Sequence, residues 1–161
     1  MLYMSDKAKS AADRLGKQEF VLPDKPTSDM PTLPDDLTDL PDDELMELFT
    51  KFIAWSGFAA TQLALAEIDE RDAEKRLKRA EQAAMSSSWS KDSRVALAKA
   101  EASLSPEVQK VSDQLDVVYN YRKLVGVMAS NLEREAALVS RELTRRTSTF
   151  DGGRRRERFN T

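Results

Sequence analysis

From Leu45 onward, apolar and small residues return every three or four positions: Leu45, Leu48, Phe52, Trp55, Ala59, Leu63, Ala66, Ala73, Leu77, Ala80 and Ala84. That spacing is the helical period, with one charged interruption near Glu70. Asp42, Asp43 and Glu44 put negative charge where a helix N-terminus favours it. Ser86, Ser87 and Ser88 weaken the pattern, so this helix is expected to end near Met85. A second series starts at Ser105-Pro106-Glu107, a capping serine, a proline in the first turn and an acid. It runs through Val108, Val111, Leu115, Val118, Val125, Ala129, Leu132, Ala136, Val139 and Leu143, interrupted by Arg122. Val111, Val118, Val125, Leu132 and Val139 recur at every seventh residue, a heptad seam. This helix is expected to end near Thr147, before Gly152-Gly153. Residues 92–104 read as a shorter helix or an extension of one neighbour.

Two long helices joined near residue 95 predict an all-α fold, a long antiparallel helical hairpin or coiled coil. The first helix alone would be about 66 Å long, which a small compact domain has little use for outside a coiled coil. A fold point near 95 sets residues 52–66 level with 124–138. Gly57 and Gly126 lie in these zones among alanines, where two backbones could approach closely. The run Phe52 to Ala66 holds fifteen residues without a charge. It occupies four turns on all sides, and a helix apolar all round is buried all round. One partner helix cannot cover it, so the chain is expected to be a homo-oligomer. Phe52, Trp55, Phe58, Leu63, Val125, Leu132, Val139 and Leu143 are the expected interface residues, with core packing favoured over ligand binding for the aromatic group.

The N-terminal region differs. Residues 1–20 form a weakly helical arm (Leu2, Ala8, Ala12, Leu15). Residues 21–41 form a linker holding five of the six prolines, alternating with acids. Proline donates no backbone hydrogen bond and biases its predecessor to extended geometry, so this arm is expected to be disordered. The hairpin domain then covers 42–149, and 150–161 is an arginine-rich flexible tail. The uncharged run falls short of the ~20 apolar residues that span a bilayer, and no secretory signal precedes it. A cytoplasmic protein without membrane partners is expected.

Composition narrows the chemistry. The chain of 161 residues has 28 acidic and 25 basic side chains, a net charge of −3, and neither cysteine nor histidine. Disulfide scaffolds, thiolate or imidazole zinc sites, cysteine nucleophiles and serine–histidine pairs are excluded. Asp35, Asp36, Asp39, Asp42 and Asp43 lack the spacing of a calcium loop. No phosphate-cradling loop occurs. No enzyme activity, metal or cofactor is expected. Glu67, Asp69, Glu70, Asp72 and Glu74 alternate with Arg71, Lys75 and Arg76 and read as ordinary i,i+4 partners.

Basic clusters are the remaining chemical signal. Lys75, Arg76, Lys78 and Arg79 crowd the end of the first long helix, and Lys91 and Arg94 follow beside Trp89. Arg154, Arg155, Arg156 and Arg158 end the chain, after Arg141, Arg145 and Arg146. Such groups contact phosphates, and a tryptophan beside them can stack on an unpaired base. The plainer readings are a solvated helix end matched to its dipole, and a tail that pairs with the acidic linker of a neighbouring copy.

The order of elements resembles the UvsY-type recombination mediators of phages. The resemblance covers about residues 42–150: a mobile N-terminus, a long helix with an aromatic patch (FTKFIAWSGF), a basic end (EKRLKRAEQ), a serine-rich break, a shorter piece (KDSRVALAKAEA), and a second long helix closing in VSRELTRRTSTF. It implies an accessory factor that oligomerises into rings, binds single-stranded DNA, and helps a RecA-like recombinase replace single-strand-binding protein. The DNA contacts it implies fall on Lys75, Arg76, Lys78 and Arg79, and the assembly surface includes Leu132 to Leu143. The aromatic residues that family members often carry past the basic stretch are missing here (AEQAAMSS), unless Trp89 substitutes, and the arginine tail and proline-acidic arm are additional. The competing expectation is a structural or adaptor coiled coil, such as a phage-particle, scaffolding or inhibitor subunit, acting through protein contacts only.

Overall fold

A computed structural model describes the backbone of residues 5–88 and 95–159 and the side chains of residues 5–87 and 95–148. All regular structure among the described residues is helical: α1 (Asp6–Gly16), a 3-10 turn (Leu37–Asp39), α2 (Asp42–Ser88), α3 (Val95–Ser103) and α4 (Pro106–Phe159). None of these helices is long and apolar enough to cross a membrane. The chain packs as two units, Met1–Leu22 with Gln62–Gly126, and Pro23–Thr61 with Val127–Thr161.

In the first unit the second half of α2 runs antiparallel to the start of α4. Leu63 Cδ1 lies 3.6 Å from the Cβ position of Gly126, and Glu70 meets Arg122. The core is made of small residues: Ala8, Ala66, Ala98, Ala102 and Val108 are buried. The two interruptions in the apolar series, Glu70 and Arg122, are each other's partner. Arg122 Nε and Nη2 donate to the two Glu70 carboxylate oxygens at 2.7 and 3.3 Å. A forked pair of this kind lets two charges sit inside an otherwise apolar seam.

The N-terminal arm is docked in this unit. Ser5 caps α1, its hydroxyl accepting from the Ala8 amide at 3.2 Å, and its own amide donates to Asp69 Oδ1 at 3.0 Å. Lys7 pairs with Asp72 at 3.0 Å. Eleven residues are too few for a stable isolated helix, so these contacts and the burial of Ala8 hold it.

In the second unit the start of α2 packs on the later part of α4, with Leu45, Phe52, Ala59, Leu132, Ala136 and Val139 buried. The proline stretch has no regular structure beyond the 3-10 turn, as its prolines dictate, yet it is packed: Pro31 is buried, and Leu33, Pro34, Leu37 and Leu40 are half-buried.

Both helices outrun their expected ends. Ser86 and Ser87 do not stop α2, because their hydroxyls donate to the carbonyls of Ala83 and Ala84 within the helix. In α4 the hydroxyls of Thr144, Thr147 and Ser148 do the same, and the helix continues past Thr147 through Gly152-Gly153 to Phe159. Glycine in a helix costs only about 1 kcal/mol relative to alanine, which does not force a break.

Candidate nucleic-acid interface

Lys75, Lys78 and Arg79 lie on the outer side of α2, together with Arg71. Spacings of three and four put the four cations on one helical face, and all four are exposed. None makes an ion pair or hydrogen bond with a described residue; the ion pairs of α2 involve other groups.

The acids explain why. The expected i,i+4 ladder forms only once in this stretch, between Asp72 and Arg76 at 2.8 Å. Asp69, Glu70 and Asp72 instead turn inward, toward Ser5, Arg122 and Lys7. The Lys7 ammonium, seconded by Arg76, holds the buried Asp72 carboxyl below the usual carboxylate range, against the opposing effect of burial. Glu67 and Glu74 stay exposed beside the stripe without pairing to it. Four unpaired cations therefore share this surface with the exposed Glu67 and Glu74, and Arg71–Lys75 and Lys75–Arg79 stand as like-charge pairs at i,i+4, each costing the helix about 0.2–0.5 kcal/mol.

Arg76 departs from the group expected in the sequence. It sits on the other side of α2 and lines a cleft of about 470 Å³ whose floor includes Ala73, Val111 and Val118. Arg71, assigned by spacing to the salt-bridge ladder, takes its place in the stripe. A helical-wheel position was the available signal. Trp89, Lys91 and Arg94 lie outside the described residues, as do the side chains of Arg154, Arg155, Arg156 and Arg158 in the last turns of α4.

The upstream arginines have a different fate. Glu142 is buried and accepts from Arg145 at 2.7 Å through both carboxylate oxygens and from Arg146 Nε at 2.8 Å. These hydrogen bonds, Arg145 first, pull its carboxyl from the ordinary 4.5 to about 2. Arg146 reaches onward to the proline stretch. Its Nη1 donates to the Leu40 carbonyl and Asp42 Oδ1, both at 2.7 Å, and its Nη2 to the carbonyls of Leu37 and Thr38 at 3.0 and 3.2 Å. One guanidinium thus gathers three backbone carbonyls of a segment that has few partners of its own. Lys25 adds a contact at the other end, 5.9 Å from the Trp55 ring centroid. Arg141 alone of this trio is exposed without an ion pair among the described residues.

The expected oligomer residues are mostly taken up inside the chain. Phe52, Leu132 and Val139 are buried, and Leu63 packs on Gly126. Trp55, Phe58, Val125 and Leu143 are half-buried, Trp55 meeting Phe58 edge-on at 6.0 Å. The uncharged run is not buried all round. Ile53, Ala54, Gly57, Ala60 and Ala64 face outward, and a Cβ on Gly57 would meet open space, so no close backbone approach occurs at that glycine.

No protein-family model matches the chain, and no curated protein or solved structure is significantly similar to it.

Proposed function

We propose that this protein is a non-enzymatic, homo-oligomeric accessory factor that binds single-stranded DNA. The observation that carries the reading is the stripe Arg71, Lys75, Lys78 and Arg79, unpaired among the described residues while Asp69, Glu70 and Asp72 beside it are engaged elsewhere. Four cations within about 12 Å of helix rise suit a run of successive phosphates. The helix bears the self-repulsion of this row, which a polyanion would relieve. Assistance to a RecA-like recombinase, with single-strand-binding protein displaced in a cytoplasm, is the role that the UvsY-like order of elements suggests.

Fluorescence anisotropy with a labelled single strand tests the binding step. Affinity must fall steeply as salt rises, since each neutralised phosphate contributes about −0.7 to the slope of log K against log salt. Absence of binding at low salt removes the proposal.

A second reading, a structural or adaptor protein acting through protein contacts, is favoured by one observation. Large apolar side chains remain exposed on the long helices, among them Ile53, Val117, Leu124 and Val127. Under that reading, binding of a protein partner survives reversal of the stripe.

A further inference from the structure

On the flank of α2 that carries Arg76 lies a cleft that phosphate contacts leave unused. It belongs to the first unit, between α2 and α4, and holds about 470 Å³, within the range of about 300–1,000 Å³ usual for small-ligand sites. Its walls are mainly apolar, from the half-buried Ala73, Val111 and Val118, and the half-buried Tyr121 adds a ring. The polar groups that line it are few. Gln114 is exposed and has no hydrogen bond among the described residues. Asp69 accepts from the Ser5 amide through Oδ1, which leaves Oδ2 as a spare acceptor. Asp72 is already satisfied, by Lys7 and Arg76.

Charge selects the occupant. Two carboxylates in the lining disfavour an anion, and the Lys7 and Arg76 cations beside them disfavour an organic cation. A neutral, flat group with an N–H donor on its edge fits: its face suits the Tyr121 ring, and its edge suits Asp69 and Gln114. An unpaired nucleobase is such a group. The cleft also adjoins the stripe. Arg76 is exposed and lies three residues from Arg79, so the two are neighbours on the helix surface. The cations thus turn from the stripe toward the cleft, around a helix only about 10–12 Å across with its side chains. We infer that the cleft takes one unpaired base of the strand whose phosphates lie on the stripe, stacked on Tyr121 and hydrogen-bonded at its edge by Asp69 and Gln114. This rests on the proposed binding of single-stranded DNA, and it supplies what phosphate contacts alone cannot, a means of telling an open strand from a duplex, whose bases have their faces and pairing edges occupied.

The test compares two labelled oligonucleotides of equal length and charge, one of cytosines and one abasic throughout, by fluorescence anisotropy on the full chain. Wild type should bind the cytosine strand about tenfold more tightly than the abasic one, the effect of one stacked base. Tyr121→Leu should bring that ratio close to one while the slope of log K against log salt stays as in wild type, because the phosphate contacts are intact. Gln114→Ala, at an exposed position where folding is not at stake, should cut the ratio about threefold, and it carries the test if Tyr121→Leu loses helicity by circular dichroism. Equal affinity of wild type for the two strands overturns the cleft assignment and leaves the stripe standing. A tenfold ratio that survives in the folded variants also overturns it, since the base is then held elsewhere. Failure of both strands to bind at low salt overturns the nucleic-acid reading itself, and the cleft assignment with it.

Discussion

The two units make opposite use of charge. In the first, carboxylates turn inward: Asp69 holds the Ser5 amide, Asp72 holds Lys7, and Glu70 holds Arg122. Cations are left outside, as the stripe on α2. In the second, arginine turns inward: Arg146 gathers the carbonyls of Leu37, Thr38 and Leu40, and acids such as Asp35, Asp39 and Asp43 are left exposed, with no ion pair among the described residues. A chain with a net charge of only −3 therefore leaves a group of exposed cations on α2 in one unit and a group of exposed carboxylates around the proline stretch in the other. Net charge hides this difference; which sign the packing absorbs sets what each unit leaves exposed. The cores differ as well. The largest fully buried side chains, Phe52, Leu45 and Val139, all belong to the second unit, whereas the first is packed with alanines.

The largest expected effect attacks that difference in cores. Phe52→Ala should cost about 3–5 kcal/mol, read by guanidinium unfolding, and should erase the slower amide exchange expected for residues 42–61 over residues 62–88. Reversing the stripe with Lys75→Glu and Lys78→Glu should abolish DNA binding at physiological salt, while Asp35→Lys with Asp39→Lys should not weaken it. Equal losses from both pairs would mean that the contrast in surface charge has no bearing on binding.

Acid should loosen the second unit's latch. Glu142 has a folded value of about 2 against an ordinary 4.5. A depressed carboxylate stabilises the fold fully above its unfolded value, and that contribution is lost as pH falls from about 4.5 toward 2. Amide protection factors at residues 37–42, with the pH dependence of intrinsic exchange divided out, should fall across that window and stay flat from pH 5 to 8. Ser5→Ala should weaken α1 by about 1 kcal/mol through loss of its cap, leaving the second unit untouched. Smallest of all, Gly57→Ala should stabilise the chain by about 0.4–1 kcal/mol, since nothing surrounds that position.

Much of the fold was legible from periodicity alone. Every member of the two apolar series is buried or half-buried, and Leu63 beside Gly126, Glu70 beside Arg122, and Asp42 beside Arg146 keep the register that a fold point near residue 95 requires. Helix ends were less legible, because serine and threonine hydroxyls bond back into the helix as readily as they cap it. The docked arm and the packed proline stretch were hidden for a related reason. Both are held by side chains distant in sequence, Asp69 and Asp72 for one and Arg146 for the other, and no local pattern announces such partners. The stripe was half visible: spacing picked out Lys75, Lys78 and Arg79, but only the inward turn of Asp69, Glu70 and Asp72 frees Arg71 and leaves Arg76 engaged on the other side.

The measurement that bears most directly on the central claim is the salt dependence of single-strand binding, compared between wild type and a variant with Arg71, Lys75, Lys78 and Arg79 all changed to Gln. Four lost phosphate contacts should flatten the slope of log K against log salt by about 3, with helicity unchanged. Parallel slopes for the two proteins would contradict the assignment of the outer face of α2 as the nucleic-acid interface.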